Sequence, residues 1–259
     1  MPKTSAKDTV LLEELSWPEV QAALEAGTRT MVIVTASIEQ HGPHLPTNTD
    51  TAIGYLIGER LARALGDALL APVIRPGCSD HHLAFPGSLS IPQEVFIDTV
   101  IACVRSLVPH GFSTFVLLSS HGGNFGALEA AGRRLREEFE PQGVRFVVFA
   151  GTNDLRALMR VMVETAAGLG APQDVDVIHA EATETSIMMA RHPHLVAAHR
   201  AERGFLGRVD PEDVFRRGMR AITANGIFGD ATLAKPEIGE ALLDRLTDYL
   251  AATVRERLA

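Results

Sequence analysis

The sequence feature that most constrains the fold is residues 30–35, a run of β-branched and apolar side chains with little polar alternation. A strand with one face in water alternates apolar and polar residues. This run therefore predicts a strand buried on both faces, as in a parallel sheet covered by helices. Three more strands are predicted at 69–74, 113–119 and 144–149. Helical patterns separate them, and this alternation favours an α/β fold with a mostly parallel sheet.

The helices are predicted from the helical spacing of apolar side chains and from their capping residues. Residues 16–19 have the sequence of a capping box, and Gly66 is placed to end the second helix. Because no repeat or flexible linker divides the chain, we predict one domain over residues 1–259. The predicted helices are 16–26, 50–64, 92–108, 125–139, 155–167, 183–190 and 238–258.

The segment 200–230 is rich in arginine and interrupted by glycines. This composition favours an exposed loop with a short helix. Two alternatives remain open for it: a contact between subunits, or a lid that faces the substrate.

Composition excludes several classes of protein. Hydrophobic residues make up 46% of the chain, which excludes intrinsic disorder. The net charge is −8, so we expect no nucleic-acid partner, because phosphate binding needs a basic surface. Cys78 and Cys103 are too few for a disulfide framework. The N-terminus lacks the apolar segment of a secretory signal, and no apolar run reaches the about 18 to 20 residues that span a bilayer. We therefore expect no membrane partner and a cytoplasmic location.

Ten histidines stand out in a chain with only 5% aromatic residues. Six of them lie in four segments, 39–50, 77–88, 119–124 and 179–186, three of which directly follow predicted strands. Ligands of open α/β sheets bind beyond the carboxyl ends of the strands. The concentration of histidines therefore predicts a metal site at this edge of the sheet. Nucleophile elbows, phosphate loops and Rossmann glycine fingerprints are absent from the sequence.

The segment 39–50 carries the strongest metal-binding pattern. Glu39 and His41 are two residues apart, so in an extended segment they point to the same side, and Asp50 follows at the start of the next helix. Carboxylate and imidazole groups together suit Zn²⁺ or Mn²⁺. The alternative is a polar turn with a structural histidine.

The segment 119–124 contains His121, followed by Gly122 and Gly123. The two glycines allow a sharp turn and a close approach of the backbone to a ligand. The amides of the helix that follows are able to receive an anion or a carbonyl oxygen. The alternative is a glycine-rich turn in which Asn124 caps the helix.

The other two segments are less specific. Segment 179–186 opens a helix with His179 and Glu184, and simple capping of that helix by carboxylates is the alternative. Segment 77–88 adds His81 and His82, with a type II turn at Pro86–Gly87 as the alternative. We expect His44, His81 and His82 to line the site without binding metal directly.

Taken together, these motifs resemble the creatininase (creatinine amidohydrolase) family. The resemblance covers roughly residues 10 to 255 and implies a three-layer α/β/α sandwich with a mostly parallel central sheet. It also implies a centre of two divalent metal ions, Zn and/or Mn with Fe as a further possibility, and a homo-oligomer, often a hexamer. The residues that carry it are Glu39-Gln40-His41-Gly42-Pro43-His44-Leu45-Pro46 with Asp50, His121-Gly122-Gly123-Asn124 and Glu184-Thr185-Ser186.

Carried over by position, the resemblance implies a role for each site residue. Glu39 and His121 would hold one metal, His41 and Glu184 the other, and Asp50 would bridge them. His179 matches the histidine proposed to shuttle protons in creatininase. A metal-activated water would attack a carbonyl. The amides of Gly122 and Gly123 would then stabilise the oxyanion, and His179 would protonate the leaving nitrogen.

Departures from the family pattern argue against creatinine itself as the substrate. Gly123 stands where creatininases have a glutamate, so more of the metal binding rests on Glu184. The tryptophans that close over creatinine have no counterpart, because the single tryptophan is Trp17. The predicted function is hydrolysis of a C–N bond in a small molecule: a cyclic amide, a formamide or a peptide-like bond. The alternatives are cleavage of a C–C bond in a cyclic keto-polyol, or a non-catalytic metal-binding protein. Segments 77–90, 151–180 and 200–230 are expected to set specificity.

Overall fold

The computed structural model describes residues 8–172 and 177–259. At the centre of these residues lies a four-stranded sheet in the spatial order β2-β1-β3-β4, and each of its three pairings is parallel. The parallel sheet predicted from the sequence is therefore confirmed. Part of the predicted segment 151–180, and the first residues of the chain, lie outside the described residues. The strands are β1 (Thr30–Thr35), β2 (Ala68–Leu70), β3 (Thr114–Ser119) and β4 (Arg145–Val148).

Helices connect the strands, because parallel neighbours cannot be joined by a tight turn. Each of the seven predicted helices is present, and its ends lie within three residues of those predicted. The remaining helix, α7, lies in the arginine-rich segment, where a loop with a short helix was expected. The α-helices of the described residues are α1 (Trp17–Glu25), α2 (Thr49–Leu65), α3 (Gln93–Leu107), α4 (Phe125–Phe139), α5 (Thr152–Gly168), α6 (Ala182–Arg191), α7 (Pro211–Arg217) and α8 (Pro236–Leu258). None of them is long and apolar enough to cross a membrane.

The alternating side chains of β1 divide the apolar interior into two clusters. Val32 and Val34 pack into a cluster with apolar residues of α2, α6 and α8. Met31 and Ile33, on the other face, pack with residues of α3 and α4. All six residues of β1 are buried, so the uninterrupted apolar run reflects burial on both faces. The result is a three-layer α/β/α sandwich, as expected.

The strand predicted at 69–74 was wrong at its carboxyl end. The structure ends β2 at Leu70, and Pro72 follows two residues later. Proline has no N–H to donate, so it interrupts the ladder of hydrogen bonds. Ala71 and Ile74 still donate N–H groups to the carbonyls of Val32 and Val34, at 2.9 and 3.0 Å. The chain therefore stays beside β1 without continuing the strand.

The carboxyl ends of β1 and β3 place the functional loops side by side. Thr35 lies opposite Ser119 in the ladder, so the loops that leave the two strands begin next to each other. Ser120 then donates its hydroxyl to the carbonyl of Asp50, at 2.7 Å. This contact fastens the first turn of α2 to the end of β3. The elements that carry candidate ligands therefore meet at one edge of the sheet.

Candidate metal centre

The loop after β1 buries two carboxylates and an imidazole next to one another. Glu39, His41 and Asp50 are 1%, 0% and 2% exposed. Asp50 lies in the first turn of α2, where Ser37 donates its hydroxyl to Asp50 Oδ2 at 2.6 Å. The other carboxylate oxygen, Oδ1, lies 3.1 Å from His41 Nε2. The structure therefore brings these three predicted side chains next to one another.

His121 joins them from the end of β3. Its Nδ1 lies 3.1 Å from Glu39 Oε1 and 3.3 Å from Asp50 Oδ2. Its Nε2 lies 3.1 Å from the carbonyl of Cys78. A carbonyl only accepts, so Nε2 carries a hydrogen. Nδ1 donates to the carboxylates when the ring is protonated and presents a lone pair there when the ring is neutral. Glu39, Asp50 and His121 thus offer three ligand atoms within 4.8 Å of one another.

A second group of ligand atoms lies on the other side of His41. His41 Nδ1 donates to the carbonyl of Glu39 at 3.1 Å, which leaves Nε2 facing Asp50 and Glu184. Glu184 belongs to the first turn of α6, and the N–H of Ala180 donates to its Oε2 at 2.5 Å. His41, His179 and Glu184 again offer ligand atoms within 4.8 Å of one another. The structure therefore brings all five predicted metal ligands into one site.

Two further residues in the motifs make specific contacts. His82 lies in the short turn after β2, and its Nε2 is 3.3 Å from Glu39 Oε1. It therefore contacts a candidate ligand directly, in addition to lining the site as predicted. Glu181 begins α6 by accepting the N–H of Thr183 at 2.8 Å, so it caps that helix. Capping by a carboxylate was the alternative interpretation of segment 179–186, and Glu181 bears it out, whereas helix periodicity carries no information on the His82 contact.

Gly123 is required by close packing. A Cβ at this position would lie 2.3 Å from both the carbonyl oxygen of Cys78 and His121 Nε2. Asn124 does not cap α4 with its side chain, so that alternative interpretation of the motif was wrong. Its side chain instead accepts the N–H of Cys78 at 2.9 Å and donates to the carbonyl of Ala36 at 3.1 Å. Asn124 thereby connects the loops that follow β1, β2 and β3.

The electrostatics of the site show a shortage of positive charge. Burial alone would lower the pKa of His41, but the Asp50, Glu184 and Glu39 carboxylates outweigh it and raise the pKa to about 10. Burial raises the pKa of Glu184 to about 8, with the Asp50 charge adding to the effect. For Asp50, burial is outweighed by His41 and His121, which hold its pKa well below the usual range. At pH 7 His41, which is ordinarily neutral, is therefore protonated, and Glu184, which is ordinarily ionised, largely keeps its proton.

Divalent cations fit this arrangement. Buried carboxylates need a compensating charge, and oxygen and imidazole nitrogen together suit Zn²⁺ and Mn²⁺. Within the part of the chain that the structure describes, Glu39 Oε2 is buried without a hydrogen-bond partner. An unpaired carboxylate oxygen in the interior is costly, and coordination to a cation would satisfy it.

Fold and site together define a class of protein: α/β/α sandwiches that gather carboxylate and imidazole groups at the carboxyl edge of a parallel sheet. Within that class, the chain belongs to the creatininase family, because the family model described as creatinine amidohydrolase matches residues 13–254.

Three proteins similar to this chain are named as hydrolytic enzymes. Creatinine amidohydrolase of Pseudomonas putida is 27% identical, with 96% of this chain and 97% of the relative covered. Mycofactocin precursor peptide peptidase of Mycobacterium ulcerans (strain Agy99) is 30% identical, with 85% and 82% covered. The 3-dehydro-scyllo-inosose hydrolase of Thermotoga maritima is 26% identical, with 87% and 76% covered. The family membership therefore supports a hydrolase.

Solved structures of creatininase share the fold over almost the whole chain. A crystal structure of creatinine amidohydrolase has a TM-score of 0.83 at 25% identity, covering 96% of this chain and 98% of that chain. A creatininase variant described as Zn–Zn type has a TM-score of 0.79 at 27% identity, with the same coverage. A structure titled "Creatininase Mn" has a TM-score of 0.78, also at 27% identity and with that coverage. Zinc and manganese are therefore the metals associated with these neighbours.

Proposed function

We propose that this chain is a dinuclear metal-dependent amidohydrolase that cleaves a C–N bond of a small molecule. The observation that carries the proposal is the placement of Asp50. Its Oδ1 faces His41 at 3.1 Å and its Oδ2 faces His121 at 3.3 Å, so one carboxylate lies between two groups of ligands. A carboxylate shared in this way is suited to bridging a pair of ions.

The remaining donors divide between the two ions according to their contacts. Glu39 and His121 would hold the first ion, because their Oε1 and Nδ1 atoms lie 3.1 Å apart. His41 and Glu184 would hold the second, since their Nε2 and Oε2 atoms lie 3.8 Å apart. Zinc and manganese are the proposed metals, and iron fits the same donor types.

The residues around the ions would perform the proton transfer and stabilise charge. When bound, such ions polarise a carbonyl and lower the pKa of a coordinated water. His179 Nδ1 lies 3.9 Å from Glu39 Oε1, so this atom faces the site and is placed to receive a proton and pass it to a leaving nitrogen. Gly122 and Gly123 begin the short turn that leads into α4, where the first amides have no partner within the turn. One such donor to an oxyanion is typically worth about 3 kcal/mol.

The names of the relatives favour C–N bond cleavage. Creatinine amidohydrolase and the mycofactocin precursor peptide peptidase are both named for hydrolysis at an amide-type bond. A second candidate is cleavage of a C–C bond in a cyclic keto-polyol, which the 3-dehydro-scyllo-inosose hydrolase favours. Both reactions call for a polarised carbonyl and a proton donor to the leaving group, so the same centre suits either.

The test uses the purified full-length protein loaded with Zn²⁺ or Mn²⁺. Metal content is measured by mass spectrometry, and turnover is measured on cyclic amides, formamides, short peptides and cyclic keto-polyols. We expect two metal equivalents per chain and chelator-sensitive release of an amine or ammonia. A new acid formed without loss of nitrogen would support the second candidate. Turnover that persists after the metals are removed would contradict both.

The hexamer is a further proposal, based on the family resemblance. Light scattering coupled to size-exclusion chromatography measures the molar mass in solution. We expect a mass about six times that of one chain, and a monomer at micromolar concentration would contradict the expectation.

A further inference from the structure

Gln40 lies between two candidate ligands in the sequence, and its side chain is held in a defined orientation. The Oε1 atom accepts the N–H of Gly42 at 2.9 Å. The Nε2 atom donates to the carbonyl of Gly226 at 3.1 Å. A Cβ at Gly226 would lie 2.0 Å from Gln40 Oε1, so the glycine leaves room for this amide. Two backbone contacts therefore identify which end of the amide is oxygen and which is nitrogen.

The amide nitrogen faces two histidines, of which only one is able to accept its remaining hydrogen. Gln40 Nε2 lies 3.2 Å from His82 Nδ1 and 3.0 Å from His179 Nε2. His179 Nε2 also lies 2.9 Å from the backbone carbonyl of Gln40, which only accepts. The hydrogen of His179 is therefore on Nε2, and that atom has no free lone pair. The second amide hydrogen of Gln40 is left for His82 Nδ1.

This assignment gives the two imidazoles opposite functions. His82 accepts at Nδ1, so its own hydrogen is on Nε2, which lies 3.3 Å from Glu39 Oε1. His179 has its hydrogen on Nε2, so Nδ1 presents a lone pair toward the site. The rings are neighbours, with centroids 4.8 Å apart. One therefore offers an N–H to the site and the other a lone pair.

We infer that Gln40 is a positioning residue. Its side-chain amide makes His82 an N–H donor that orients Glu39, and its backbone carbonyl makes His179 present a lone pair to the metal centre. The inference rests on the proposed function, because it concerns the same metal centre. Substitution of a residue that hydrogen-bonds to a metal ligand typically lowers metal affinity about 10- to 100-fold.

The competing assignment is a further metal site. Glu39, His82 and His179 also offer ligand atoms within 4.8 Å of one another. For His82 Nε2 to bind a metal, its hydrogen would have to move to Nδ1, directly opposite the amide hydrogens of Gln40. The Gln40 amide cannot turn over to relieve this clash, since its oxygen already accepts from Gly42. The geometry therefore favours a hydrogen bond over coordination.

The test measures zinc content and zinc affinity, by chelator competition, in the full-length protein. The variants are His82→Ala, His82→Gln, Gln40→Met and the double variant His82→Ala/Gln40→Met. Leu83→Ala is the control, because Leu83 follows the same turn and is 53% exposed. Thermal unfolding of each variant identifies any that fails to fold.

We expect His82→Ala to keep two zinc equivalents and to bind the ion held by Glu39 about 10- to 100-fold less tightly. His82→Gln, which keeps an N–H donor, should recover most of the affinity. Gln40→Met should weaken zinc binding in the same direction, because methionine cannot donate to His82 Nδ1. The double variant should be no worse than His82→Ala alone, because both changes break the same chain of contacts from Gln40 through His82 to Glu39. Leu83→Ala should match the wild type.

Several outcomes would overturn the inference. Loss of a whole zinc equivalent in His82→Ala would make His82 a ligand. Unchanged affinity in His82→Ala, or a folded His82→Gln that binds no better than His82→Ala, would remove its orienting role. Failure of the proposed function gives a different result. In that case the wild-type protein itself binds no zinc, and this inference fails with it.

Discussion

The candidate metal centre and the arginine-rich segment 200–230 both concentrate charged residues, but they hold them in different surroundings. Glu39, His41 and Asp50 in the centre are at most 2% exposed. In the segment, the side chains of Arg203 and Arg216 are 70% and 73% exposed, although each is paired with an aspartate. Water screens the second set of charges and is excluded from the first.

The difference teaches that burial, more than the number of charges, indicates a reactive site. A buried carboxylate must find a proton, a cation or a hydrogen-bond donor, so its pKa and its metal affinity respond to every neighbour. An exposed ion pair replaces contacts with water by contacts with a partner, so its net contribution to the free energy of unfolding is small. Substitutions in the two regions should therefore differ greatly in effect.

The largest effect is expected for Asp50→Ala, which removes the carboxylate between the two ligand groups. We expect loss of at least one metal equivalent. Activity should fall by more than the about 10- to 100-fold that is typical when a residue hydrogen-bonded to a metal ligand is substituted. Metal content and turnover are measured on the same preparation. A variant that retains two equivalents would contradict the bridging role of Asp50.

Gly123→Ala should have the next largest effect. The added methyl group would overlap the Cys78 carbonyl and the imidazole of His121, and overpacking of this kind costs about 1–3 kcal/mol. We expect a lower free energy of unfolding and weaker metal binding, measured by denaturant titration and chelator competition. Gly126→Ala is the matched control, since a Cβ there meets no atom within 4 Å. Equal results for the two variants would contradict the packing argument.

Without metal, the protein should lose stability as the pH rises from 7 to 9. His41 has a folded pKa of about 10 against an ordinary value of 6.5, so its contribution is complete below pH 6.5 and is lost toward pH 10. Glu184, with a folded pKa of about 8, holds a proton that the unfolded chain has released, so its contribution falls in the same direction. Denaturant titrations in chelator at several pH values measure the trend.

The metal-loaded protein is the control for that trend, because metal binding requires deprotonated ligands and strengthens as the pH rises. Its stability should fall less steeply than that of the metal-free protein, or increase, over the same range. Parallel curves with and without metal would show that the carboxylate–histidine groups do not bind it.

The smallest effects are expected in α7, where two adjacent residues should behave differently. The ring of Phe215 contacts the ring of His81 with centroids 4.6 Å apart, and Arg216 makes no such ring contact among the residues that the structure describes. Phe215→Ala should raise KM about 2- to 10-fold, the equivalent of one lost aromatic contact. Arg216→Ala should change neither KM nor the unfolding midpoint, because its partner Asp213 is on the surface. An equal change in both variants would exclude a substrate-facing role for Phe215.

Local sequence patterns predicted the fold well, because they record burial and capping directly. The bounds of β1 were correct to the residue, since an apolar run is the signature of two-sided burial. The prediction of β2 was wrong beyond Leu70, because hydropathy does not register the missing N–H of Pro72. The single domain over 1–259 stays a prediction.

The site was predictable in its residues and less so in its contacts. Glu39, Asp50 and His121 follow the ends of strands, and parallel strands bring such positions to one edge. For His82 the sequence predicted only a position lining the site, and it did not indicate the contacts of Gln40, because both depend on loops far apart in the chain.

The sequence by itself determined the order of the elements, the burial of the central strand and the kinds of ligand at the sheet edge. Each of these follows from the periodicity and chemistry of neighbouring residues. Only the tertiary structure decided which ring nitrogen of His121 and of His82 faces the site. That choice depends on carbonyl groups supplied by other loops. The carbonyl of Cys78 orients His121, and the carbonyl of Gly226 orients the Gln40 amide, which in turn orients His82. A hydrogen on one ring nitrogen leaves a lone pair on the other, so these distant backbone contacts set the chemistry of the centre.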